Sequence, residues 1–151
     1  MSAGRRLLGV DYGSKRIGLS VSDPDRKFAF PLATYERRST EQDATYFRDL
    51  VAEEAIGRII LGLPVHLDGR EGQKAAEVRV FGTWLAETTG LPVVYFDERF
   101  TTVEAESALW EAGLSHRKRK DRRDRVAAQI LLQTYLDARC PDNPEARPLD
   151  E

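Results

Sequence analysis

The chain has 151 residues, 41% of them hydrophobic and 32% charged, with a formal net charge of -2. That length suits one compact domain with its own core, and the near-neutral charge rules out a global basic field, so any polyanion site must be local. A single cysteine, Cys140, cannot form an internal disulfide, and no apolar run approaches the roughly 20 residues of a membrane span. The expectation is a cytoplasmic one-domain protein with no membrane partner.

The elements follow in chain order. Arg6–Asp11 reads as a buried strand and Ile17–Asp23 as a second, joined through the turn "YGSKR" as a hairpin. Phe28–Tyr35 makes a third strand. Ser39–Ile56 reads as a helix, opened by the capping-box pair Ser39 and Gln42 and striped by Tyr46, Phe47, Leu50, Val51 and Ala55. The continuous apolar run Arg58–Val65 predicts a strand covered on both faces. A polar loop, "HLDGREG", leads to a helix over Gln73–Thr89, stopped by Gly90. Leu91–Arg99 is a further buried strand. Thr101 and Glu104 repeat the capping-box spacing and open a helix to about Gly113. "LSHRKRK" reads as a basic loop, Asp121–Arg139 as the last helix, and 140–151 as an acidic, Pro-containing tail outside a domain of residues 1–139. Trp84 and Trp110 read as core residues on apolar helix faces.

Hairpin-linked strands run antiparallel, and right-handed crossovers through helices make the first, fourth and fifth strands parallel. The prediction is an α/β fold with a mixed five-stranded sheet in the order 3-2-1-4-5 and helices on both faces, the ribonuclease H-like architecture.

In such a sheet Asp11 ends the first strand, and Asp97 and Glu98 end the fifth, at the carboxyl edge where open α/β sheets hold ligands. The two strands flank the fourth, about 10 Å apart, twice the usual strand spacing. Gly62, near the end of the fourth strand, leaves room for carboxylates to reach across. Asp121 and Asp124, three residues apart, share a helix face that continues into Ala127, Ala128, Ile130, Leu131 and Tyr135. That stripe should pack on the sheet and bring the aspartates to its edge. The plainer reading makes them first-turn charges complementing the helix dipole. Clustered carboxylates repel, and a hard divalent cation offsets the repulsion. An oxygen-only set of Asp11, Asp97 or Glu98, and Asp121 or Asp124 suits Mg2+ or Mn2+, and two ions about 4 Å apart would clamp the attacking and leaving oxygens of a phosphodiester.

Beside this cluster, "HRKRKDRRDR" holds seven cations: Arg117, Lys118, Arg119, Lys120, Arg122, Arg123 and Arg125. A charge run can be a solvated face, but next to an acidic cluster it reads as a phosphate-backbone grip. Lys15, Arg16 and Arg99 add candidate phosphate contacts. With no aromatic residue interleaved, the run favours backbone and shape over base stacking.

The stretches "GVDYGSKRIGLSVSD", "ILGLPVHLDG", "FDERFTTVEA" and "DRRDRVAAQILL" resemble the signature blocks of the YqgF (RuvX) family, over about Leu7 to Leu136. The resemblance implies a ribonuclease H-like nuclease related to the RuvC resolvases, with catalytic acids at Asp11, Glu98 and Asp124. It also implies a nucleic-acid partner: a precursor of small-subunit ribosomal RNA matured at its 5′ end or, alternatively, branched DNA at a Holliday junction. Monomer and homodimer both stay open, since cutting a junction symmetrically needs paired sites. Arg122, Arg123 and Arg125 around Asp124, and His66 in "GLPVHLDG", depart from the family pattern and bear on substrate preference. Two other classes stay in view. A phosphotransferase is suggested by "GVDYGSKRIG", although that chemistry needs a second lobe, and a binding or ribosome-assembly module is the alternative without catalysis.

Overall fold

The computed structural model describes residues 5–100 and 116–140, with Phe100 and residues 116–121 described by backbone alone. Strands β1 (Arg6–Asp11), β2 (Arg16–Ser22) and β3 (Ala29–Glu36) form an antiparallel meander. Helix α1 (Thr40–Glu53) leads to β4 (Ile56–Leu63), α2 (Gln73–Thr89) leads to β5 (Val93–Asp97), and a 3-10 turn over Glu98–Phe100 follows. Helix α3 spans His116–Asp137. The sheet order is β3-β2-β1-β4-β5, with β1, β4 and β5 parallel, as the crossover rule requires. No described helix is long and apolar enough to cross a membrane.

Period-two alternation sorts each strand onto two covered faces. Leu8, Val10, Ile59 and Leu61 face α1 and α2, joining Phe47, Leu50, Val78, Phe81 and Leu85 in the larger core. Leu7, Ile60 and Val94 face the opposite way and meet Leu132, Tyr135 and Leu136 of α3. Ser39 caps α1 in the reciprocal arrangement with Gln42, and Gly90 closes α2 in the left-handed conformation that favours glycine. Trp84 packs half-buried at the margin of the larger core.

Several boundaries shift from the sequence reading, among them Ile56, which opens β4 instead of ending α1, and two of the shifts matter at the site. The basic run 116–120 is the opening of α3 rather than a loop. Lysine and arginine are good helix formers, and their charge does not prevent a helix whose later turns are anchored on a sheet. Asp121 and Asp124 therefore lie beyond the first turn, and the helix-dipole reading of them fails. The last strand ends at Asp97, so Glu98 belongs to the 3-10 turn. The Thr101–Gly113 helix, Trp110 and the tail from 141 onward lie outside the described residues, as do the side chains of Arg117, Lys118, Arg119, Lys120 and Asp121.

Candidate active site

Asp11 closes β1 on the face that α3 covers, two residues beyond Gly9. Its partner across the antiparallel ladder is Gly18. A side chain at Gly18 would run into the Asp124 carbonyl, and one at Gly9 would stand 2.9 Å from Leu132 Cβ. The two glycines thus let the α3 backbone lie against the sheet, and Ser20 fastens it there by donating 2.7 Å to the Ala128 carbonyl. Asp124 lies one turn before Ala128, on the side of α3 that meets the sheet. This close approach brings it beside Asp11.

Glu98 arrives from the other side. The ladder continues from Val10–Leu61 toward Asp11 and Gly62, and Gly62 pairs with Phe96. A Cβ at Gly62 would come within 2.8 Å of Glu98 Cγ and 2.9 Å of its Cδ. The Glu98 side chain therefore crosses the end of β4 through space that only glycine leaves open. There it meets Asp11, and the two carboxyl groups lie within hydrogen-bond reach of each other.

The electrostatics follow from that packing. Asp11 opens onto a cleft but is surrounded by protein. Burial holds its carboxyl well above the usual carboxylate range, with Glu98 and then Asp124 adding to the effect. Burial also raises Glu98, and Asp97 adds to it, while the bond from Asp11 works the other way. The two carboxyls therefore titrate as a pair, both above the usual carboxylate range. Asp124 is tethered: Arg16 Nε donates 2.7 Å to its Oδ2, with both side chains partly buried. Among the described residues, no three acidic, histidine or cysteine side chains close on a single point. Two carboxylates meet, and the third stands nearby on its arginine. This oxygen-only donor set, whose raised carboxyls a cation would stabilise in the charged form, fits a hard divalent ion.

The cleft measures about 180 Å³ and is bounded by Asp11, Glu98, Tyr12, Ser14, Lys74 and Glu77. Lys74, near the start of α2, escaped the sequence reading. The rule that ligands sit at the carboxyl ends of parallel strands, applied to the helix after β4, would have pointed to it.

The predicted phosphate-binding residues divide. Lys15 is exposed on the turn beside Asp11, and Arg122 and Arg123 are exposed on α3. Arg125 turns to a separate cavity of about 420 Å³ with Arg38 and Tyr46. Arg16 is engaged by Asp124. Arg99 binds Asp97 Oδ2 at 2.6–2.7 Å and donates 3.2 Å to the Leu67 carbonyl, so it ties the 66–72 loop to the end of β5.

Residues 5–138 match the RuvX family, described as "Holliday junction resolvase". The chain belongs to the RuvX family. A relative from Rhodopirellula baltica named "Putative pre-16S rRNA nuclease" is 48% identical over 133 residues, 88% of this chain and 77% of that one. Another of the same name, from Maridesulfovibrio salexigens, is 40% identical over 131 residues, 87% of this chain and 97% of the other. Among solved structures, T. thermophilus RuvC in complex with Holliday junction substrate superposes with a TM-score of 0.53 at 15% identity, covering 89% of this chain and 95% of that one. That likeness establishes the ribonuclease H-like fold for this RuvX chain.

Proposed function

We propose that this RuvX protein is a divalent-metal-dependent endonuclease acting on structured nucleic acid, foremost in maturing the 5′ end of pre-16S ribosomal RNA. The observation carrying this reading is the meeting of Asp11 and Glu98 across Gly62, with Asp124 beside them on α3. Mutually repelling carboxylates gathered at a cleft are costly to hold together unless they bind a cation. The names of the relatives supply the substrate class.

Asp11, Glu98 and Asp124 are the residues that would hold Mg2+ or Mn2+, Asp124 after release from Arg16, with Asp121 the next acid along α3. When bound, the ions supply Lewis-acid activation of water and neutralise charge developing on the phosphodiester. The chain's own residues do the rest. Burial and Glu98 favour the neutral form of Asp11, so holding a cation there would release a proton to solvent. Arg16, once freed from Asp124, and exposed Lys15 on the turn after Asp11 would pair with phosphate oxygens. Lys74, which lines the cleft, offers a third cation, and exposed Arg122 and Arg123 would extend the backbone grip along α3, with Arg117, Lys118, Arg119 and Lys120 the candidates to continue it.

The test is Mn2+- or Mg2+-dependent cleavage of a pre-16S transcript by wild type and by Asp11→Asn. Cleavage by wild type and its loss in the variant, with transcript binding retained, supports the proposal. Full activity in Asp11→Asn contradicts it.

A second reading, resolution of four-way DNA junctions, is favoured by the family description. It requires two sites acting together. Symmetric junction cleavage by a dimer supports it, and a strict monomer on and off junction DNA opposes it.

A further inference from the structure

A second hollow opens directly beside the cleft. It measures about 390 Å³, within the usual range for single-ligand pockets of about 300–1,000 Å³, and lies where α1 and α2 approach each other. Tyr12 and Glu77 line both hollows, so the groove continues from the Asp11–Glu98 pair along α2. Its floor is aromatic. Tyr12 and Phe81 stand 4.6 Å apart between ring centroids, and Phe81 and Trp84 5.5 Å apart. Val80 is 72% exposed at its rim.

One wall is a guanidinium held in place. Arg37 lies 5.3 Å from the Tyr12 ring centroid and 5.4 Å from that of Phe81, and donates 2.9 Å to the Tyr12 hydroxyl. Asp43, 1% exposed, anchors it from below at 3.4 Å. A buried carboxylate fixing a planar cation over two rings builds a rigid stacking wall. Glu77 adds an acceptor able to take an exocyclic amino group. A phosphate would find only Arg37, already paired with Asp43, and a purely apolar peptide would gain nothing from Arg37, whereas a flat, amino-bearing aromatic ring uses every part.

We propose that this groove receives an unpaired nucleobase of the substrate strand, adjacent to the phosphate held at the cleft. The inference rests on the nuclease reading for the strand's position and adds that the substrate must be single-stranded beside the cut. Fully paired helices keep their bases stacked and cannot present one.

The experiment measures equilibrium binding by the full chain in a metal-free, chelator-containing buffer, where no turnover occurs. The probes are a single-stranded RNA tetranucleotide and the same backbone with abasic positions. Wild type should prefer the base-bearing probe by about tenfold or more, the usual scale of aromatic–base stacking. Val80→Glu, an exposed change that places a like charge on the groove rim, should abolish that preference, and Val80→Leu should retain it, with circular dichroism confirming that both variants fold. Equal binding of both probes by wild type, or an undiminished preference in Val80→Glu, overturns the proposal. If the preference behaves as expected but no metal restores cleavage of any transcript, the nuclease reading fails and the base site stands.

Discussion

Gly18 of β2 lies against the backbone of Asp124, so close that any side chain at position 18 would strike the Asp124 carbonyl. The same glycine is the ladder partner of Asp11. One residue without a side chain therefore sets the approach of α3 to the carboxyl edge and, with it, the spacing of two of the three acids.

Gly18→Ala should push α3 off the sheet. The obstacle is backbone, which cannot swing aside, so the loss should fall at or above about 1–3 kcal/mol, the usual cost of overpacking a core. Gly62→Ala should behave differently, because the atoms it meets belong to the Glu98 side chain, which can rotate away. Urea unfolding should show a large drop in midpoint for Gly18→Ala and a small one for Gly62→Ala. Metal-dependent cleavage should fall at least tenfold in both.

The raised carboxyl of Asp11 gives a pH signature. Because the folded protein holds the Asp11 carboxyl above its unfolded value, it binds that proton more tightly than the unfolded chain does. The associated stability is fully present below the unfolded pKa and is lost as pH rises through the folded one. Metal-free Asp11→Asn, which carries no such charge, should gain on wild type as pH climbs from acid to neutral. Added Mn2+ should reverse the order by stabilising wild type alone. Thermal melts of both proteins across pH, with and without metal, measure this; parallel curves would contradict it.

Arg16 and a cation compete for Asp124. Arg16→Ala should lower metal-free stability by about 1 kcal/mol, because the pair is only partly buried and partly screened. It should also tighten Mn2+ binding as the tether disappears. Isothermal titration with Mn2+ distinguishes this from a structural role alone, which would leave affinity unchanged or weaker.

Asp43 accepts 2.6 Å from the Tyr35 hydroxyl and 2.9 Å from the Arg38 amide, besides its contact with Arg37. Burial first, then Asp43, push the Tyr35 hydroxyl up to about 12, so it stays a donor well into alkaline pH. Tyr35→Phe should cost about 1–3 kcal/mol by leaving part of a buried carboxylate unsatisfied. Burial also raises Tyr46 and Tyr95, so spectrophotometric titration of the variant should lose one of several late-ionising tyrosines, the one near pH 12.

Much of this was legible beforehand for reasons that are local. β1 ends at Asp11 as its apolar run predicts, Ser39 and Gln42 form the capping box their spacing announces, and α2 runs from Gln73 to Thr89 because Gly90 stops it. The sheet order follows from crossover handedness. Features that depend on contacts distant in sequence were not legible. Nothing near Arg16 reveals a partner 108 positions away, and nothing near Gly18 shows that a helix backbone will rest on it. The basic run before Asp121 looked like a loop because its charge obscured its good helix propensity. The aromatic groove was hidden too, since Tyr12, Arg37 and Trp84 come from three separate segments.

The most direct test of the central claim is anomalous diffraction from a crystal of the full chain soaked in Mn2+. The account predicts a peak between Asp11 and Glu98, with Asp124 turned from Arg16 toward it. A protein that cleaves its transcript in Mn2+ yet shows no density at that pair, or shows the ion bound elsewhere, would contradict it.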